Sequence, residues 1–183
     1  MLTIAQAARF AESYLAPLGA RWLHVQGVVR QAYSVSRILN DKEHDYLISA
    51  AYLHDIGYAP SLQKTGFHPL DGAYFVRSLG DLRLASLVAH HSEARFEARL
   101  KGLEEQLSEF PREESPLADA LIYCDFTTSP FGATISMQER VADIMSRYGK
   151  EHPVTQALHL ALPTLTEAIE RMEKRLQASS SSL

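Results

Sequence analysis

The sequence predicts an all-α fold, and three observations carry that prediction. Apolar residues recur three and four positions apart in one segment after another, capping residues and Pro or Gly stand at the ends of those segments, and no long stretch alternates as a half-buried strand would. With 183 residues the chain has the length of one compact unit. The expected architecture is therefore a single helical domain over residues 1–178, with roughly eight helices around a central cavity. Its chemistry-bearing core covers residues 21–130, packing helices follow over 137–176, and 179–183 form a short mobile tail.

The first helix is expected over residues 3–16 and is stopped by Pro17 and Gly19, because proline has no amide hydrogen to give to a helix interior. A longer helix follows over 21–39. On it His24 shares a stripe with Val28, Val35 and Ile38, so its imidazole should face the core. Asn40 caps the third helix with Glu43 in capping-box register, and the run LISAAYLHD carries it to His54 and Asp55 in the last turn. Gly57 is expected to end that helix in the left-handed conformation, which places the pair at a cavity rim. A further helix begins at His68 or Pro69, where proline is tolerated in a first turn.

Residues 81–92 form the next helix, with Leu84, Leu87 and Val88 buried, His91 in phase with them and His90 one step around. The charged segment after it holds a short helix near 99–109 that ends before Pro111 and serves as a cover. The run PLADALIYCDF from Pro116 aligns Ala118, Leu121, Ile122 and Asp125 on one side, which brings a carboxylate onto an apolar face. The last two helices span 137–148 and 154–176, with Pro163 a candidate kink in the second.

Composition narrows the function. The formal net charge of −4 argues against a nucleic-acid polymer or an anionic membrane as the main partner, so a small molecule is expected. No apolar run approaches the roughly 18 residues needed to cross a bilayer, and the first residues lack a secretory pattern. The lone Cys124 has no internal disulfide partner and is read as a small core residue. A cytoplasmic location is the expectation. Of the eight histidines, six lie in the first half of the chain: His24, His44, His54, His68, His90 and His91. His24, His54, Asp55 and Asp125 together offer two imidazoles and two carboxylates, a donor set for a divalent metal. Burying Asp125 without a partner would cost several kcal/mol, and a cation turns that cost into binding energy.

The order of these residues resembles the HD-domain superfamily, in which a His, a His-Asp doublet and a distant Asp are borne on helices. Here they are His24 in RWLHVQGV, His54 and Asp55 in AAYLHDIGY, and Asp125 in LIYCDFTTSP. The resemblance implies a metal-dependent phosphohydrolase acting on a small phosphorylated metabolite such as a nucleotide. It implies one or two divalent ions, with Mn, Fe, Co, Ni, Mg and Zn all open, and a proton shuttle at His54 or Asp55. Dinuclear relatives place extra histidines between the doublet and the last Asp, and the chain offers His68 in GFHPLDGA and the pair His90 and His91 in LVAHHSEA. Alignment with the family pattern favours His90 of that pair, and helical phase favours His91. Where many members carry a charged residue after the doublet, this chain has Ile56, Gly57 and Tyr58. Substrate contacts are therefore sought at Tyr58, Lys64, Arg95 and Thr128. Two other activities stay open under the same resemblance: a mixed-valent di-iron oxygenase, and a catalytically silent nucleotide-binding regulatory module. The oligomeric state is not legible.

Overall fold

The computed structural model describes residues 2–180. Among them are ten α-helices and no strand, the nearest approach to a sheet being one isolated antiparallel bridge between Thr128 and Thr134. The helices are α1 (Ile4–Leu15), α2 (Ala20–Val35), α3 (Asp41–Leu53), α4 (His68–Ser78) and α5 (Leu82–His90). They continue with α6 (Arg95–Lys101), α7 (Glu104–Ser108), α8 (Pro116–Phe126), α9 (Met137–Tyr148) and α10 (Pro153–Ser180). None of them is long and apolar enough to cross a membrane.

Side-chain capping accounts for five of the ten helix starts. Thr3 and Ser136 close reciprocal capping boxes with Gln6 and Glu139. Asp81 and Ser115 each accept a backbone N–H three residues on, and Pro116 fills a first-turn position whose N–H would have no partner inside the helix. Asn40 accepts from the Glu43 N–H as expected, although Glu43 answers through the Asn40 side-chain amide and not through its backbone.

Three expectations about helix ends are corrected. The single segment expected near 99–109 is two helices, because Gly102 takes the left-handed conformation at φ 67° and breaks the chain between α6 and α7. Gly57 is not left-handed; α3 ends at Leu53 and Gly57 sits inside a 3₁₀ turn over Ile56–Tyr58. Glycine is required there for space, since a Cβ would fall on the His68 carbonyl oxygen and crowd the Gly72 nitrogen. Pro163 does not divide α10, which continues through Ser180; of the expected tail, residues 181–183 lie outside the described part.

Helices α2, α3 and α8 pack on one another, α1 covers α3, and α4 and α5 pack against each other, α5 on α3 and α4 on the turn that follows it. Their apolar faces make one core that includes Val28, Leu47, Leu53, Ile56, Leu70, Leu84 and Leu121. A second cluster joins Ile122 and Phe126 of α8 to Ile144 of α9 and Leu158, Leu165 and Ile169 of α10. The boundary between the two clusters passes beside the carboxylate of Asp125, so the last two helices close one side of a polar cavity.

Candidate metal centre

His24 lies on the buried face of α2, His54 and Asp55 follow α3, His68 opens α4, His91 follows α5, and Asp125 sits in the last turn of α8. Five separate segments thus converge. The ligand atoms of His24, His54 and Asp55 all lie within 4.8 Å of one another, and so do those of Asp55, His68 and His91. Asp55 belongs to both groups and divides its oxygens between them. Its Oδ2 is 3.4 Å from His54 Nε2 and 3.9 Å from His24 Nε2, while its Oδ1 is 3.4 Å from His68 Nε2 and 3.8 Å from His91 Nε2. Asp125 Oδ1 stands 3.0 Å from His24 Nε2 on the outer side of the first group.

Three of the imidazoles are oriented by backbone carbonyls. His54 Nδ1–H donates to Ala51 O at 2.9 Å, His91 Nδ1–H to Val88 O at 2.6 Å, and His24 Nδ1–H to Ser129 O at 3.0 Å. A carbonyl can only accept, so each Nδ1 carries a proton, and in the neutral ring each Nε2 turns a lone pair toward the cavity. His54 Nε2 is buried and has no hydrogen-bond partner. An orphaned buried nitrogen, three lone pairs and two carboxylates aimed at one region fit a divalent cation.

The Ser129 carbonyl reaches His24 because two glycines let backbone meet backbone. A Cβ on Gly27 of α2 would collide with the Gly132 backbone and the Thr128 methyl, and one on Gly132 (φ 81°) would strike the Leu23 carbonyl. The loop over 127–136 therefore lies directly on α2, one turn from His24.

The electrostatics point the same way. Burial opposes the charge of Asp55, but the Arg21 guanidinium, at 2.5 Å, and His54 more than offset it and hold the carboxyl well below the usual range. Burial likewise opposes the Asp125 charge, and His24 and Arg140 hold that carboxyl far below its ordinary value. Burial pushes His68 well down and His91 down, so both tend to stay neutral. His54 moves the other way: burial disfavours its proton, yet the Asp55 and Asp125 charges raise it above the ordinary value. A potential that draws a proton to that nitrogen also draws a metal ion.

The structure separates His90 from His91. His90 Nε2 donates to the Phe110 carbonyl at 2.7 Å and stands outside the cluster, whereas His91, which helical phase favours, lies within it. Of the residues sought as substrate contacts, Tyr58 lines the cavity as a platform: its ring stacks on His68 at 4.0 Å and lies 4.0 Å below the Arg21 guanidinium. The other three do not line it. Lys64 is exposed in the loop before α4, Arg95 is held by Glu93 at 2.7 Å, and the buried Thr128 hydroxyl donates to the Cys124 carbonyl.

Two arginines escaped the sequence reading. Arg21 sits three residues before His24, on the same side of α2. Arg140 is four residues before the buried Ile144 on α9, and a charged side chain in phase with an apolar stripe is the signal that marks it. Both line the cavity, of about 120 Å³, whose far wall is apolar and is built from Phe126, Ile144, Val154, Ala157 and Leu158.

Comparison with known proteins agrees with this geometry. No curated protein and no solved structure matches the chain. A family model described as HD domain matches residues 21–125, more than half of the chain, beginning at the arginine that holds Asp55 and ending on the last carboxylate of the cluster. The chain belongs to the HD domain family, a metal-dependent and phosphohydrolase-like group.

Proposed function

We propose that the protein is a metal-dependent phosphohydrolase whose substrate is a small phosphorylated metabolite, with nucleotides the leading class. One observation carries the reading: Asp55 presents one oxygen to each of two histidine groups, which is the arrangement a bridging carboxylate needs. His24, His54, Asp55 and Asp125 would hold one divalent ion, and Asp55, His68 and His91 a second. Such an ion, when bound, supplies positive charge for the phosphoryl oxygens and acidifies water at neutral pH.

The chain's own contribution is positioning. Arg21 locks Asp55, the three carbonyl acceptors lock the imidazoles, and the Tyr58 ring keeps His68 from rotating away. The phosphoryl group enters on the side where Arg21 and Arg140 line the cavity, and the apolar wall excludes bulk water behind it. Phe126, Ile144 and Tyr148 offer the flat, apolar surface that the base of a nucleotide would use. His54 and Asp55 are the groups placed to take and return a proton.

The test joins metal analysis to a phosphomonoesterase and phosphodiesterase screen over nucleotides and sugar phosphates, with Mn²⁺, Fe²⁺, Co²⁺, Ni²⁺ or Mg²⁺ added. Hydrolysis by the wild type that disappears in Asp55→Ala supports the reading. Activity that survives that substitution would eliminate it, and iron-dependent oxygen uptake without phosphate release would replace it with the oxygenase alternative.

A further inference from the structure

Arg140 is the least satisfied charged group in the cavity. Its residue is 7% exposed, its Nε is buried with no partner, and its remaining contacts are long for a guanidinium. Nη2 is 3.3 Å from Asp125 Oδ1 and 3.5 Å from His24 Nε2, and Nη1 is 3.7 Å from Asp143. Charge-assisted bonds of this kind ordinarily run at about 2.7–2.9 Å. Arginines elsewhere in the molecule reach that: Arg171 grips Asp119 at 2.7 and 2.9 Å, and Arg112 meets Glu93 at 2.6 Å. A buried guanidinium with five donors and no short acceptor is incomplete.

Its two nearest acceptors, Asp125 Oδ1 and His24 Nε2, are atoms assigned above to a metal ion. When they serve the metal, Arg140 loses even these contacts and its planar fork is left facing the cavity. The complementary partner is an oxyanion that accepts two parallel N–H bonds, and a phosphoryl group meets that requirement. Arg140 stands on α9, beyond the residues 21–125 that the family model covers, so this donor is supplied by the chain's own C-terminal segment.

We infer that Arg140 is a substrate-binding residue whose guanidinium takes the phosphoryl oxygens beside Asp125. The inference rests on the phosphohydrolase reading and deepens it: selection for a phosphorylated substrate is exercised by α9 and not only by the histidine cluster.

The experiment uses the full chain loaded with Mn²⁺ and titrated calorimetrically with inorganic phosphate, with metal content measured alongside. The wild type binds phosphate. Arg140→Ala weakens that binding at least about tenfold while metal per chain is unchanged, the scale of one charge-assisted bond. Arg140→Lys recovers part of the loss, because lysine restores the charge without the fork; it also decides the question if the alanine variant does not fold. Three results overturn the inference: a wild type that binds no phosphate, a variant that binds it as tightly as the wild type, or a variant that loses its metal, which would make Arg140 only a support for Asp125. Phosphate binding that depends on Arg140, with no phosphoester hydrolysed, would instead overturn the hydrolase reading and leave Arg140 as an anion site.

Discussion

His24 Nε2 and Asp125 Oδ1 lie 3.0 Å apart, and in the neutral imidazole, whose one N–H goes to the Ser129 carbonyl, both atoms are acceptors. Two lone pairs facing each other at that distance need a positive charge between or beside them. The Asp125→Asn variant keeps the shape, removes the charge and can donate an amide hydrogen to His24. It is expected to lose at least about tenfold in metal affinity, while its metal-free form is as stable as the wild type or more so. Calorimetric metal titration and thermal unfolding measure the two effects, and a variant with wild-type affinity would show that Asp125 is no ligand.

The close approach of Gly27 to Gly132 makes a separate claim about stability. An alanine methyl at position 27 would meet backbone atoms that have nowhere to go, so Gly27→Ala should cost about 1–3 kcal/mol in urea unfolding. Because the same loop brings the Ser129 carbonyl to His24, metal affinity should fall with stability. Unchanged urea midpoints would mean that the loop is free to lift from α2.

Acidity should act on the metal-free protein in a definite direction. His68 and His91 have folded values below their unfolded ones, so their contribution to stability is present above the unfolded histidine value of about 6.5 and is lost as pH falls below it. His54 is raised and works oppositely, adding stability at lower pH that disappears as pH rises through its folded value. The His54 contribution changes only above the unfolded value, and below it the three lowered histidines, His68, His90 and His91, leave the unfolded chain binding more protons, so stability falls between about pH 6.5 and pH 5. Asp55 and Asp125, both lowered, add a second loss below about pH 4. Urea midpoints across this range check the sign; a midpoint that rises on acidification from pH 7 would show that His54 dominates.

Cys124 should be chemically silent. It is fully buried, and burial together with the neighbouring Asp125 charge pushes its thiol far above the ordinary range, so almost no thiolate forms. Iodoacetamide at pH 8 should label it only after denaturation. Labelling of the native protein at the rate of a free thiol would mean that α8 opens readily.

Much of the centre was legible beforehand because its residues obey helical phase. His24 falls on the buried stripe of α2, Asp125 on an apolar face of α8, and His91 in register with Leu84 and Leu87, each readable from a period of 3.6 residues. Phase even separated His91 from His90, where alignment to the family pattern chose the other. Lys64 and Arg95 stand near the cluster along the chain but not in space: one lies in a solvated loop and the other pairs with Glu93, and neither lines the cavity.

What the sequence determined by itself was the all-helical class, many helix starts, and which histidines and carboxylates turn inward, since capping, proline placement and apolar period act over a few neighbouring residues. What only the tertiary structure decided was convergence: the division of the Asp55 oxygens between two histidine groups, the spatial use of Gly27 and Gly57, and the arrival of Arg140 from a helix outside the family's matched span. These depend on how distant helices pack, and packing is set by the sum of many contacts across the core, which no local window of residues contains.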